Sequence, residues 1–573
     1  MAKININFND KNYSIDEAAL SAASTELKSH LSTVMNGEGV TITIDGTSYD
    51  VDATKLAVAK DDFVAHLGII AGDGSKVVVG GVEYGIDSAK VHGAISEIEA
   101  FLGGTGNKYV EKYDKLESGM YYSDLTVALA DADAHSNENG VDNDNGAVAY
   151  VKLLEDDESV VILLQDQTPS ETLNTTGNVV LNFNGKTLTM NNDVCLSATA
   201  GTLTLRDSTG QGVVNKKVVN QTVNDSIVTV ANAALVVDGG QYVCTDATSS
   251  EIIYGFNATS NASITVNAAT INIGAATSAR SVRGIQCSTE DSSMTINKAS
   301  VSIVGSKTPV GVFNMGTGSL YDVDIELSST TKGYGVYNNS TGTLNVNGAD
   351  INVVSSGSGN LFGIYINDSA TATVEKVNIM VNAPLVNIGG DTFSNSGNGI
   401  QNFSENELIL KGSSNEDIVI RATAQALSFG EGSKNYVYNG TYEGATQGGA
   451  YIYSSSSGET KIYGGIYRAV DVFCDIPEGY TKEEFKPNGA LYVRDRIGSE
   501  PWTVDISDAV IEGCGTYGIA VASSSGCPTV NLTNCTISGE QYDVRVDAGN
   551  TVNLYGATVL EHETVLGALN DYR

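Results

Sequence analysis

The stretch 323–354, VDIELSSTTKGYGVYNNSTGTLNVNGADINVV, decides the fold. It opens and closes on one short phrase, Ile325-Glu-Leu327 and Ile351-Asn-Val353, 26 residues apart. Apolar and polar residues alternate in both copies, the period of a strand with one face turned inward. Working outward, the phrase recurs as Ile271/Ile273, Val301/Ile303 and Ile379/Val381, so successive first members lie 30, 24, 26 and 28 residues apart. Nearer the C-terminus Val504/Ile506, Val530/Leu532 and Val552/Leu554 follow at spacings of 26 and 22. A drifting period of this size, carried by β-branched alternation, predicts a β-solenoid whose turns stack short strands into parallel sheets. Val, Ile, Leu, Ala and Thr are expected inside, and Thr, Ser, Asn and Asp outside. A propeller would need a regular period of about 40 residues with its own aromatic signature.

The first hundred residues follow another rule. Three units open at Ile6, Ile42 and Val77, with Tyr13, Tyr49 and Tyr84 and then Asp16, Asp52 and Asp87 at matching positions. In each, a short strand, a polar turn and a second strand lead to an Asp at a helix N-cap and then an amphipathic helix closed by Gly37, Gly72 or Gly103. The reading is a small α+β domain of three ββα repeats over residues 1–104. Each unit is too small to bury a core alone and must stack on its neighbours or on other chains. Residues 105–120 are polar, without a period, and read as a neck. The solenoid is expected over 121–573. It opens on a short capping helix beginning at Leu125, followed by a polar insertion from Asp131 to Gly146. The terminal HETVLGALNDYR reads as a short helical cap over the open end.

Composition narrows the function. The chain has 573 residues with 32 Lys plus Arg against 68 Asp plus Glu, a net charge of 32 − 68 = −36. Such a chain repels phosphate backbones, so no nucleic-acid partner is expected. A charged fraction of 17% with 41% hydrophobic residues is not that of a disordered acidic chain. Apolar runs are too short for a membrane span, and the opening Met-Ala-Lys-Ile-Asn-Ile lacks the features of a secretory signal. Seven scattered cysteines without a CxxC pair argue against a disulfide framework or a zinc site, and read as small core residues.

Val151-Lys-Leu-Leu, Val160-Val-Ile-Leu-Leu and Val179-Val-Leu-Asn-Phe-Asn-Gly-Lys-Thr-Leu-Thr resemble the opening turns of right-handed parallel β-helix proteins of the pectate-lyase-like superfamily. Tyr122, Asp124 and Leu125 match that family's cap loosely, and the resemblance covers about 121–560. Residues 3–104 resemble modules of phage fibre and tail proteins. Together the two parts look like a phage tailspike or fibre. The resemblance implies a homotrimer that attaches to other virion structural proteins through residues 1–104, is made in the host cytoplasm, and contacts a host surface glycan.

Such a protein either binds glycan or cleaves it. Cleavage by a glycosidase needs two carboxylates about 5–10 Å apart. The densest acids stand in a long excursion between turns, with Asp475, Glu478, Glu483 and Glu484 as catalytic candidates. The same acids also read as a solvated loop face. Arg468, Arg494 and Arg496 are the candidate bases of a lyase, without a lyase motif around them. The oxygen-rich 131–145 segment fails the EF-hand spacing, and no metal or cofactor is expected. For glycan binding, Tyr451, Tyr453, Tyr463, Tyr467 and Trp502 are the candidates, since an aromatic ring covers the apolar face of a pyranose. Those tyrosines read equally as inter-rung stacks, and Trp502 as a loop cap. The expected function is a structural, glycan-binding virion fibre. The alternatives are an enzymatic tailspike (glycosidase or polysaccharide lyase) and a bacterial surface adhesin.

Overall fold

A computed structural model describes residues 118–573 apart from short loop segments, together with six strands before residue 118. Residues Met1–Lys115 and Leu116–Arg573 form separate compact units. In the first, Lys3–Phe8 pairs with Lys11–Asp16, Thr41–Ile44 with Thr47–Asp50, and Lys76–Val79 with Val82–Gly85, all antiparallel. Tyr13, Tyr49 and Tyr84 sit opposite Ile6, Ile42 and Val77. The helices expected after each hairpin, and most of the neck, lie outside the described residues.

The second unit is a parallel β-solenoid with three walls. The first wall is a sheet of fifteen strands running from Leu173–Thr175 to Val565–Leu566. The second and third are joined by continuous strands in the middle turns. The strand Thr317–Ser329, for example, pairs with Ser293–Asn297 through its first half and with Ser300–Ser306 through its second. The corner between these two walls turns on residues with positive φ, among them Ala268, Lys298, Asp322, Asp508 and Asn534.

The repeated pairs of the sequence stack in register along the third wall. Ile271, Val301, Ile325, Ile351 and Ile379 are successive partners, as are Ile273, Ile303, Leu327, Val353 and Val381. All ten are at most 2% exposed. The later triplet does the same on the second wall, with Val504, Val530 and Val552 in one column and Ile506, Leu532 and Leu554 in the next. Each fully buried aliphatic side chain contributes about 1.5–3 kcal/mol, so column stacking is the main source of cohesion. Outside, the second wall carries an amide ladder in which Asn531 donates to Asp505 at 2.7 Å, Asn553 to Asn531 at 2.8 Å, and Asn570 to Asn553 at 2.9 Å.

The open start of the solenoid is covered as expected by a helix, Leu125–Asp133. Asp124 caps it by accepting from the backbone N–H groups of Thr126 and Val127. Leu125, Ala128, Leu129 and Ala132 form its buried stripe. The strand Met120–Tyr122 already belongs to this cap and pairs with Ala149–Leu153. The other end departs from expectation. Val565–Leu566 and Asn570–Tyr572 are strands pairing with Val544–Arg545 and Asn553–Tyr555, in place of a terminal helix. The Asn ladder and the stack of Tyr572 on Tyr555, 5.3 Å between centroids, carry the solenoid pattern to the end of the chain.

Six of the seven cysteines are described, and Cys195, Cys287, Cys527 and Cys535 carry free thiols. Cys244, Cys287 and Cys535 are core residues, and burial pushes the Cys287 thiol up to about 12. Cys527 is exposed and departs from the expected core role.

Candidate functional site

The strands of the first wall repeat a local phrase: outward residue, glycine, inward aliphatic or aromatic residue, outward residue. It reads Tyr254-Gly-Phe-Asn257, Arg283-Gly-Ile-Gln286, Val310-Gly-Val-Phe313, Tyr334-Gly-Val-Tyr337, Phe362-Gly-Ile-Tyr365 and Asn398-Gly-Ile-Gln401. The glycines are required by crowding. A Cβ on Gly335 would stand 2.3 Å from Ile351 Cγ2 and 2.5 Å from the carbonyl oxygen of Gly363. Each of the other five meets the next strand's carbonyl and a third-wall side chain in the same way. The missing side chain lets the walls close, and it leaves outward residues three positions apart.

In register, those residues make two columns on the face of the wall turned away from the core, where Phe313, Tyr334 and Phe362 are largely buried and Arg283, Tyr337, Tyr365 and Asn398 stay partly exposed. One runs Tyr254, Arg283, Val310, Tyr334, Phe362, Asn398, Gln425. The other runs Asn257, Gln286, Phe313, Tyr337, Tyr365, Gln401, Ser428. Their middle is an aromatic cluster separate from the core. The Tyr334 ring stacks on Phe362 at 5.1 Å and on Tyr337 at 4.8 Å, while Tyr365 lies 4.9 Å from Phe362. Phe403, 46% exposed, extends the cluster at 6.1 Å from Tyr365. Lys332 Nζ sits 5.1 Å over Tyr334, and Arg283 Cζ 4.1 Å over Phe313. Burial pushes the Tyr334 and Tyr365 hydroxyls up to about 12, so both remain donors.

An amide band follows. Asn398 Nδ2 donates to Gln401 Oε1 at 3.4 Å, Gln401 Nε2 to Ser428 Oγ at 3.5 Å, and Gln425 to Gln447. The buried Oδ1 of Asn398 has no hydrogen-bond partner. Beyond it lies a second aromatic group. Tyr451 stacks on Tyr492 at 5.2 Å and 9°, Tyr517 on Tyr542 at 6.0 Å, and Arg494 is hydrogen-bonded to Tyr451. Arg545 lies over Tyr517 and is held bidentately by Asp547 at 2.8 and 3.1 Å. Aromatics, amides and aromatics thus follow one another across eleven successive strands of one wall, from Ile252–Thr259 to Tyr542–Val546. At about 4.8 Å per strand the strip is about 48 Å long.

The third wall carries different chemistry on the same turns. Asp324, Glu326, Asp350 and Asn378 line an open groove of about 560 Å³, continued by Asp322, Lys376 and Asp417. Asp324 and Asp350 are direct neighbours on adjacent strands, and Asn378 donates to Asp350 at 2.6 Å. Burial, and then the charges of Asp350, Glu326 and Asp322, raise the pKa of Asp324.

The residues singled out in the sequence separate. Tyr451 and Tyr453 stand on the first wall, half-buried, in the second aromatic group. Tyr463 is 42% exposed but belongs to the second wall, stacked on Tyr438 at 4.9 Å. Tyr467 is fully buried, stacked on Tyr442 at 5.0 Å with its hydroxyl on Gly464 O, so its ring is closed to a ligand. Trp502 is 7% exposed and belongs to the inner core, not to an outer face. Glu478 is exposed in a turn, while Asp475, Glu483, Glu484 and Arg496 lie outside the described residues. Arg468 bridges Glu512 at 2.7 Å and Glu443 at 3.3 Å, and those hydrogen bonds raise its pKa, which removes it as a base. The 310–365 aromatics, absent from the sequence candidates, carried a usable signal in the glycine phrase. Among the described residues no group of three His, Cys, Asp or Glu side chains is arranged to hold a metal ion, and no helix is long and apolar enough to cross a membrane. Comparisons with protein-family models, curated proteins and solved structures find no match.

Proposed function

We propose that the chain is a glycan-binding attachment protein, a structural fibre or tailspike of a virion whose β-solenoid body binds host surface polysaccharide along the first wall. The observation that carries this reading is the strip itself. The partly exposed rings of Tyr337, Tyr365, Phe403, Tyr451 and Tyr492 suit the apolar faces of pyranoses, and Asn398 between the two groups offers an amide to hydroxyls. An elongated flat strip matches an extended polymer better than a small molecule, which a closed pocket would hold. In this reading residues 1–104 anchor the chain to other virion proteins and the working form is a homotrimer, both on the resemblance described above.

A glycan array probed with the full chain tests the reading. Tyr365→Ala and Tyr451→Ala are each expected to weaken binding about 3- to 10-fold, the range of one lost aromatic contact, with an unchanged circular dichroism spectrum. Absence of any bound glycan, or wild-type affinity in both variants, overturns it. Electron microscopy of virions tests the location: density for the solenoid is expected at an attachment point, and a virion without the chain overturns that part.

One observation favours a second reading, an enzymatic tailspike. Asp324 and Asp350 are carboxylates on adjacent strands, and the raised pKa of Asp324 suits a general acid. New reducing ends released from a bound polysaccharide, and lost in Asp324→Asn, would establish it.

A further inference from the structure

Among the strip's cations, Arg283, Lys332, Arg494 and Arg545, Arg283 is the one with a side-chain nitrogen sealed from water and without a partner among the described residues. Resting on the glycan-binding reading above, we propose that Arg283 is the subsite for an anionic substituent, a carboxylate or sulfate, so that the polysaccharide recognised by the first wall is acidic.

Cations are scarce in this chain, 32 against 68 acids, and most of the described arginines are paired. Arg206, Arg421, Arg468, Arg545 and Arg573 each meet a carboxylate at 2.6 to 3.9 Å. Arg283 meets none among the described residues. Its Nη1 donates to a neutral acceptor, Gln286 Oε1, its Cζ lies over the Phe313 ring, and its Nε is sealed from water without a partner. A guanidinium keeps its proton at any biological pH, so the charge cannot be discharged by titration. A half-buried permanent charge that has lost water and gained only a ring face and an amide is under-compensated. The ring attracts it, but by about 0.5–2 kcal/mol. An anion at its open edge supplies what the folded chain withholds.

The position agrees with this role. Arg283 lies on the same face as the partly exposed rings of Tyr337 and Tyr365, two and three strands away, so a polymer lying on those rings reaches it without leaving the strip. Gln286 holds the guanidinium from one side and is itself held by Asn257, to which its Nε2 donates at 3.0 Å. The guanidinium is thus held in one orientation before an anion arrives. The chain's overall charge of −36 opposes polyanions over most of its surface, so binding of an acidic polymer needs a local cation such as Arg283.

The test uses the full chain on a glycan array holding matched neutral, uronate-bearing and sulfated members, with a uronate member also presented after reduction of its carboxyl groups. Wild type is expected to prefer an acidic member at least 10-fold over its neutral counterpart, and carboxyl reduction to abolish the preference for the uronate. Arg283→Gln is expected to bring acidic and neutral members to one level. Arg206→Gln, which removes a paired arginine on another wall, is expected to change nothing. A preference confined to uronates or to sulfates identifies the substituent. Equal binding of native and reduced uronate together with no preference for sulfate overturns the proposal without needing any variant to fold, and so does a preference that survives Arg283→Gln. Binding of neutral glycans alone overturns this inference and leaves the glycan reading standing, whereas an array with no bound member overturns both.

Discussion

The early and middle turns of the solenoid place their exceptions on opposite sides of the same kind of wall. In the turns up to residue 247 the exception is inside. Lys216 occupies an inward column of the third wall, between Met190 and Cys244, and is completely buried. Its ammonium donates to the carbonyls of Asn192 and Val194 and bonds Asp225 Oδ1 at 2.7 Å. In the turns from 252 to 402 no charge points inward among the described residues: the polar members of the inward columns are neutral, chiefly Asn314, Asn338 and Asn402 on the first wall, with Asn314 donating to Asn338 at 2.8 Å, and the charged groups are outside, Arg283 on the first wall and carboxylates on the third. An inward charge must find its partner within the fold, because nothing else can reach it. An outward one does not, and the charged groups of the middle turns stand where a ligand could reach them.

The largest effect expected from this contrast is at the inward lysine. Lys216→Met fits the column but strands the Asp225 carboxylate, whose Oδ2 already lacks a hydrogen-bond partner. Removing one member of a buried pair costs about 3–5 kcal/mol. Lys216→Met combined with Asp225→Leu is expected to recover all but about 1–3 kcal/mol, the residue being the carbonyls of Asn192 and Val194 left without a donor. Urea denaturation of the three proteins measures this. A double variant no better than the single would mean that the pair is not what holds these turns.

The rule for the middle turns is tested next. In Gly335→Ala the new methyl meets a backbone oxygen that cannot yield, and overpacking of this kind costs about 1–3 kcal/mol. Gly274 is the matched control. It lies in the strand Thr270–Ala275 on the outer face, and a Cβ there has Cys244 O as its nearest neighbour, at 3.9 Å. Gly274→Ala is therefore expected to be neutral or to stabilise by about 0.4–1 kcal/mol through the unfolded state. Equal melting temperatures for the two variants would remove the crowding argument.

The same glycines explain what was legible in the sequence. The second and third walls announce themselves because strict alternation puts Ile351 and Val353 two apart. The first wall hides, because the glycine makes outward residues three apart, and Tyr334-Gly-Val-Tyr337 breaks the strand alternation. The binding strip stands on the hidden wall. Tyrosine density in 436–467 was a poor substitute, since neighbours in sequence were dealt to three environments: Tyr467 to the core, Tyr463 to the second wall, Tyr451 to the first. Lys216 could not be found this way, because in Val213-Val-Asn-Lys-Lys217 two adjacent lysines point to opposite faces and composition does not say which is inward.

The smallest expected effect concerns the outward carboxylates. Asp324 has its pKa raised above the ordinary 3.8 by burial and by the charges of Asp350, Glu326 and Asp322. A raised carboxylate binds more protons folded than unfolded between its two pKa values, so stability falls as pH rises through that window. The contribution is small because the group is exposed, at most about 0.5 kcal/mol. Asp324→Asn cannot ionise and is expected to match wild type near pH 3 and to exceed it slightly at pH 7, read as a urea midpoint that separates from wild type only as pH rises above 3.8. Because this residue lies on the third wall, glycan binding by the first wall should not change. A loss of binding in Asp324→Asn would mean that the carboxylate groove, and not the aromatic strip, holds the polymer, and it would move the weight from attachment toward cleavage.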